Sequence, residues 1–88
     1  MEPRMEWPDW WSWELELTPH VQKRMEDRDF TELDLRQMLE SANGLRADIL
    51  DDRYVIESAL RGRHWEVIVE PDAPAQRLVV ITAYPLGG

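Results

Sequence analysis

The stretch RHWEVIVEPDAPAQRLVVITAY, residues 63–84, decides the fold. In its first half, Trp65, Val67 and Val69 alternate with His64, Glu66 and Glu70, which is the period of a strand with one buried face. Two prolines mark a loop over residues 71–76. Residues 77–84 are almost entirely apolar, which is typical of a central strand covered on both faces. The stretch therefore predicts two adjacent strands joined by a loop.

Further strands are predicted upstream of this stretch. Residues 53–60 alternate in character, and the Arg-Gly pair at 61–62 fits a tight hairpin to the next strand. A short strand is predicted over residues 47–50, followed by a turn at residues 51–52. Residues 12–17 also alternate, which predicts one more half-buried strand near the start of the chain.

Two helices are predicted between these strands. Thr18 is the N-cap of the first, which runs to about Arg28 with Pro19 at its first position. A capping box that begins at Thr31 opens the second, over about residues 32–42. The order of elements predicts an α+β fold, with two short helices packed on one face of a four-stranded antiparallel sheet. A five-stranded sheet is the alternative.

A tryptophan-rich arm, residues 1–13, precedes a single domain at residues 14–86 in this interpretation. Prolines disfavour regular structure in the arm. Trp7, Trp10 and Trp11 are too apolar to remain in water. They are expected either to cap the core of the domain or to anchor a partner.

Composition excludes several classes of protein. The chain has no cysteine, so disulfides and thiolate metal sites are ruled out. No stretch approaches the roughly 18 apolar residues of a membrane span, and no signal peptide is visible, so a cytoplasmic location is expected. Two histidines 44 positions apart are a poor zinc site, and neither metal nor cofactor is predicted. The net charge of −8 opposes long-range attraction to nucleic acid but permits a small basic site.

Several ionisable and hydroxyl side chains suit metal-free RNA cleavage. That reaction needs a base for the 2′-hydroxyl, an acid for the leaving 5′-oxygen and positive donors on the phosphate. Histidine suits the first two roles and arginine the third. Each candidate also has an ordinary structural explanation, such as a solvated helix charge or a residue packed in a central strand. The candidates are His20, Arg24, Arg53, Arg61, Arg63, His64, Thr82 and Tyr84.

Four segments together resemble a bacterial family of domains of unknown function. They are TPHVQKRMEDR, DDRYV, HWEVIVEPD and LVVITAYP. That family is described by a histidine on a helix, a following Arg-Met and Arg, and a last strand that ends Thr-Ala-Tyr. It is similar to the barnase–EndoU–colicin–RelE group of small metal-independent ribonucleases, which includes the RelE and BrnT toxins. The resemblance covers roughly residues 14–86.

The resemblance implies a RelE/barnase-like fold and a toxin-like endoribonuclease that uses 2′-hydroxyl attack. It implies RNA as substrate and an antitoxin as partner. The tryptophan-rich arm separately suggests a protein partner or a second copy of the chain bound through its aromatic side chains. Two features depart from the family pattern: the arm matches nothing in it, and the charge of −8 differs from the basic character of ribosome-dependent toxins. The implied catalytic residues are His20, Arg63, Thr82 and Tyr84, and the implied phosphate-binding residues are Arg24, Arg53 and Arg61.

Two hypotheses about function follow. The first is the endoribonuclease. The second is a non-catalytic protein-interaction module, or a degenerate member of the same fold. The arginines distinguish them, because a phosphate site needs cations that face an open cleft. Ion pairs with Asp51, Asp52, Glu57 and Glu66 would instead occupy those cations.

Overall fold

The computed structural model of the protein describes residues 8–50 and 52–86. Both predicted helices are present and the α+β fold is confirmed. Trp7 and Asp51, which belong to the predicted arm and to a predicted turn, lie outside the described residues. The elements are a 3₁₀ helix (Asp9–Ser12), β1 (Glu14–Leu17), α1 (Pro19–Arg28), α2 (Glu32–Glu40), β2 (Gly44–Ala47), β3 (Tyr54–Leu60), β4 (Arg63–Asp72) and β5 (Arg77–Pro85).

The strands form one five-stranded sheet in the order β1-β5-β4-β3-β2. Strands β2 to β5 make the predicted antiparallel meander. The fifth strand, β1, pairs with β5 in parallel, so the sheet is mixed. Both helices and three strands lie between β1 and β5 along the chain. No tight hairpin therefore obliges this pair to run antiparallel.

The predicted strand at residues 47–50 is wrong in position. Strand β2 is Gly44–Ala47, and the chain leaves the sheet at Asp48. The Asp48 carboxylate accepts a hydrogen bond from the backbone N–H of Ile49 at 2.8 Å, which favours a turn. The side chain of Ile49 is 96% exposed. The second helix, predicted over about residues 32–42, is shorter, because α2 ends at Glu40 and strand β2 begins at Gly44.

Both predicted helix caps are confirmed. The Thr18 hydroxyl accepts from the N–H of Val21 at 3.1 Å, and the hydroxyl also lies 2.9 Å from the Val80 carbonyl oxygen. The start of α1 is thereby fixed to strand β5. At α2, the Thr31 side chain accepts from the Asp34 N–H and the Asp34 carboxylate accepts from the Thr31 N–H. These reciprocal bonds satisfy two of the donors that every helix start leaves free.

Both helices pack on the same face of the sheet, which we call the helix face. Phe30 meets Trp65 edge-on, with ring centroids 5.1 Å apart. Trp10, Trp11 and Trp13 are half-buried and pack against this core. Hydrophobic burial of this single layer is the main source of the fold's stability. The buried apolar residues of the core are Val21, Phe30, Leu35, Met38, Leu39, Ile56, Leu60, Trp65, Val67, Val69, Leu78, Val80 and Ala83.

The prediction that β5 is covered on both faces is only half correct. The strand is interior, because it pairs with β1 on one side and β4 on the other. Leu78 and Val80 are fully buried on the helix face, whereas Val79 and Thr82 remain half-buried. The second face of the sheet therefore carries no helix layer in the described part of the chain. We call it the open face.

Candidate functional site: the open face of the sheet

A β-bulge in β5 decides which side chains reach the open face. Ile68 pairs with Thr82 and the next residue, Val69, pairs with Val80, so Ile81 is an extra residue in the ladder. Side chains of a regular strand alternate strictly, and Thr82 would then share the helix face with Val80. The bulge reverses this alternation. It directs Thr82 and Tyr84 to the open face.

The strand register places polar residues beside Tyr84 on the open face. Tyr84 lies opposite Glu66 on β4, and Glu66 lies opposite Glu57 on β3. Glu57 in turn lies opposite Gly44, where an added Cβ would stand 3.2 Å from the Glu57 side chain. A glycine here leaves room for the Glu57 carboxylate to turn toward Arg46. This row spans β5, β4, β3 and β2.

Hydrogen bonds join these residues into one chain, which we call the open-face chain. The Tyr84 hydroxyl donates to one oxygen of Glu66 at 2.6 Å. Arg46 donates to the other oxygen of Glu66 at 3.0 Å and to Glu57 at 2.7 Å. Both carboxylate oxygens of Glu66 are thus engaged by donors from other strands. Such charge-assisted bonds fix the geometry of the four side chains.

The hydrogen bonds set the protonation of the open-face chain. The bond to Glu66, followed by burial, raises the pKa of Tyr84 to about 12. The bond from Tyr84, followed by the bond from Arg46, lowers the pKa of Glu66. Both directions describe the same proton, which stays on the phenol. At neutral pH the open-face chain therefore presents a protonated tyrosine, two carboxylates and one guanidinium.

The open face as a whole is acidic. The register and the ion pairs place six carboxylates and three arginines on it among the described residues, a net charge of −3 to which the Asp48 carboxylate, close enough to act on Tyr84, adds. Each of these arginines meets a carboxylate. Arg46 bonds Glu66 and Glu57, Arg53 bonds Glu70 at 3.2 Å, and Arg77 lies 4.0 Å from Glu14. The carboxylates are Glu14, Glu16, Glu57, Glu66, Glu70 and Asp72.

The residues predicted from the sequence are divided between the two sides of the sheet. Thr82 and Tyr84 share the open face, and Arg53 borders it through its pair with Glu70. His20 and Arg24 lie on α1, which packs on the helix face against β5. Whether they act in catalysis stays a prediction.

The hairpin arginines lie on the helix side. Arg61 donates to the Asp34 carboxylate at 3.1 Å and to the Asp29 carbonyl at 3.3 Å. These bonds tie the β3–β4 hairpin to the start of α2. Arg63 is exposed and pairs across the ladder with Leu60, a core residue. Neither arginine belongs to the open-face chain.

Sequence reasoning missed three residues of the open-face chain. The sequence identifies Glu66 and Glu57 only as acids able to pair with the arginines, and it does not single out Arg46. Their importance depends on which strands are neighbours, and the sequence pattern alone does not contain that information. His64, two residues before Glu66 on the same side of β4, was noted and is exposed.

Within residues 8–50 and 52–86, no group of three or more histidine, aspartate or glutamate side chains is arranged to hold a metal ion. In the same part of the chain, neither helix has the length and apolar character that crossing a membrane requires.

The fold and this face define a small α+β domain with one sealed and one open sheet surface. Residues 17–85 match the model of the family described as a domain of unknown function, DUF4258. This match spans most of the chain, and the protein belongs to that family. Searches among curated proteins and among solved structures gave no match. The match begins at Leu17, so the 3₁₀ helix and nearly all of β1 precede the family-matched residues.

Proposed function

We propose that the domain is a protein-interaction module whose open face binds a basic segment of a partner protein. The observation that carries the proposal is that the arginines of the open face already form ion pairs. Arg46, Arg53 and Arg77 are already paired with carboxylates, and carboxylates exceed arginines on this face by at least three among the described residues. An incoming phosphate would have to displace these carboxylates, whereas a lysine or arginine side chain would add to them.

The open face also has an apolar centre. Val55 and Ile68 are 4% and 8% exposed although no helix among the described residues covers them, and Val79 beside them is half-buried. Around this centre the carboxylates stay accessible, with Glu57 48% and Glu70 44% exposed. A segment that alternates basic and apolar residues complements the accessible carboxylates and the half-buried Val79, since neighbouring side chains already cover Val55 and Ile68. This is the composition that we assign to the partner.

The charge of the face argues against a second copy of the chain as the partner on this surface. Two open faces brought together would oppose net charges of the same sign, which disfavours a symmetric pair. Trp10, Trp11 and Trp13 pack against the core of their own chain, which reduces what the arm offers to a partner. In a toxin-like member of this fold, the basic partner would be an antitoxin.

A titration with an alternating lysine–valine peptide tests the proposal. Chemical shifts of the β3 and β4 amides are expected to move, while a glutamate–valine peptide leaves them unchanged. The Glu57→Gln, Glu70→Gln variant is expected to bind the lysine–valine peptide more weakly, by about two- to fivefold for each carboxylate charge removed. Glu26→Gln on α1 is the matched control. Equal binding of both peptides, or no effect of the open-face variant, would refute the proposal.

A second candidate is the metal-independent endoribonuclease, and one observation favours it. Tyr84, Glu66 and Thr82 share the open face, and the first two hold a protonated phenol against an ionised carboxylate. A carboxylate base and a phenol acid are groups that 2′-hydroxyl attack on a phosphodiester can use. The family resemblance also implies His20 as an acid or base, but α1 packs on the helix face, so the groups that the open face itself offers are Tyr84, Glu66 and the Arg46 guanidinium bonded to Glu66.

Growth on induced expression separates the two functions. A nuclease predicts arrest by the wild-type chain, and no arrest by the His20→Ala, Tyr84→Phe double variant at equal soluble level. Tyr54→Phe, which removes a phenol hydroxyl from the helix face, is the matched control and should still arrest growth. Purified protein should then cleave RNA in the presence of EDTA. Absence of arrest and of cleavage by well-expressed wild type would exclude the nuclease.

A further inference from the structure

Trp10 and Tyr54 form an aromatic corner at the end of the sheet where β3 begins. Their ring centroids lie 5.1 Å apart and their planes meet at 39°. Asp52 and Pro71 complete the lining of an open cavity of about 170 Å³ beside the two rings. Both rings are half-buried, and Asp52 is exposed. We call this cavity, with its four lining residues, the aromatic corner.

The chemistry of the aromatic corner suits a cation. The faces of tryptophan and tyrosine rings carry negative electrostatic potential and attract ammonium groups within about 6 Å of the ring centre. Asp52, which is exposed, also lines this cavity and brings a carboxylate to its surroundings. Pro71 supplies an apolar wall against which an alkyl chain can pack. The packing of Trp10 on the core does not account for the open cavity, nor for the presence of Asp52 in its lining.

We propose that the aromatic corner is a binding site for an alkylammonium group, supplied by a lysine side chain of the partner. The identity of the donor rests on the proposed function, but the site itself does not. Arg53 and Glu70, the chain neighbours of Tyr54 and Pro71, form the ion pair at the border of the open face. A basic segment bound on that face reaches the aromatic corner by passing around the end of β3.

The site is not implied by membership of the family. Trp10 precedes the family-matched residues 17–85, whereas Asp52, Tyr54 and Pro71 lie within them. The 3₁₀ helix that carries Trp10 therefore adds one ring to a surface that the matched domain provides. The N-terminal segment gains a role in recognition in addition to its packing on the core.

Choline and its neutral carbon analogue, 3,3-dimethylbutan-1-ol, form a matched pair of probes, because they differ mainly in charge. In titrations of the full chain, choline is expected to shift the Trp10 indole N–H and the Tyr54 ring signals. It is expected to bind at least about threefold more tightly than the alcohol. Equal affinity for both probes would overturn the proposal, since the corner would then be only an apolar cavity.

Asp52→Asn is the decisive variant. Asp52 has a φ of +68°, a conformation that asparagine tolerates, so the fold is retained. Choline affinity should fall about two- to fivefold. Asp27→Asn, at an exposed position of α1, should leave the choline affinity unchanged. An unchanged affinity in Asp52→Asn would also overturn the proposal.

The two proposals fail separately. If choline binds but the lysine–valine peptide does not, the open face is wrong as an interface and the aromatic corner stands. If the peptide shifts the β3 and β4 amides while choline leaves Trp10 unmoved, the aromatic corner is wrong and the open face stands.

Discussion

The two faces of the sheet exclude water from their centres in different ways. On the helix face, Ile56 and Val67 are fully buried beneath two helices and the tryptophans of the 3₁₀ helix. On the open face, Val55 and Ile68 are nearly as buried, yet their neighbours are the side chains of the open-face chain rather than a helix. A helix layer closes a sheet face to other molecules. Long polar side chains cover the apolar residues of a face but leave their own charged groups accessible to a partner.

The largest effect expected from this difference between the faces is on stability. Truncating one isoleucine on each face tests it. Ile56→Ala removes a residue packed among helices and strands, and the free energy of unfolding should fall by about 3–5 kcal/mol. Ile68→Ala, on the open face, should cost about 2 kcal/mol or less, because side chains without a rigid layer above them can collapse into the space. Urea unfolding of both variants checks this, and equal losses would contradict the distinction between the faces.

Ser58, a buried polar residue in a described core that is otherwise apolar, offers the next test. Its hydroxyl donates to the carbonyl oxygen of Met38, one of the last carbonyls of α2. Ser58→Ala leaves that carbonyl without its partner, and we expect a loss of about 1–3 kcal/mol. Ser12→Ala, at an exposed position, is the control and should be nearly neutral. Thermal unfolding that shows no difference between them would exclude a role for this bond.

Tyr84→Phe tests the open-face chain, because it removes the hydroxyl that bonds Glu66. The free energy of unfolding should fall by about 1 kcal/mol at neutral pH. The pKa of Glu66 is lowered in the folded state, so its contribution is present above its usual value of 4.5 and is lost as the pH falls through the folded pKa. The pKa of Tyr84 is raised from 10.0 to about 12, so its contribution is present below pH 10 and is lost between 10 and 12.

The Tyr84→Phe variant should therefore lose much of the acid dependence that arises from Glu66 and all of the alkaline dependence that arises from the phenol. Stability measured by urea unfolding from pH 3 to 11 gives both slopes. A carboxyl NMR titration should place the Glu66 pKa closer to its usual value in the variant. Tyr54→Phe should leave that pKa unchanged. An unaltered Glu66 pKa in Tyr84→Phe would show that the bond does not persist in solution.

The smallest expected effect is on the outer surface of α2. Arg36 and Glu32 form an i,i+4 ion pair at 3.1 Å with both side chains about half exposed. Arg36→Gln should cost only about 0.2–0.5 kcal/mol, and 0.5 M salt should remove most of the difference. A loss above about 1 kcal/mol in a urea unfolding experiment would contradict this assignment.

Local sequence signals predicted much of the fold. The caps at Thr18 and Thr31 and the hairpin at residues 61–62 were placed correctly, because each depends on residues a few positions apart. The two C-terminal strands followed from alternation and apolar runs in the same way. The strand predicted at residues 47–50 failed because the apolar pair Ile49-Leu50 looks like a strand, although both side chains are exposed in a loop.

The candidate site was less predictable. Thr82 and Tyr84 were singled out, but strict alternation from Leu78 would have placed them on the helix face. The bulge at Ile81 cannot be read from one strand, because it is defined by the register with β4. Tyr84 and Arg46, which both bond Glu66, come from strands far apart in the chain.

The sequence by itself determined the acidity, the order of helices and strands and most of their positions, since these follow from short-range periodicity, capping and composition. Only the tertiary structure decided three further properties: the parallel pairing of β1, the open-face position of Tyr84, and the occupation of the arginines by carboxylates. Each is a contact between residues distant in sequence. Such contacts are selected by the packing of the whole sheet, and no local pattern records them.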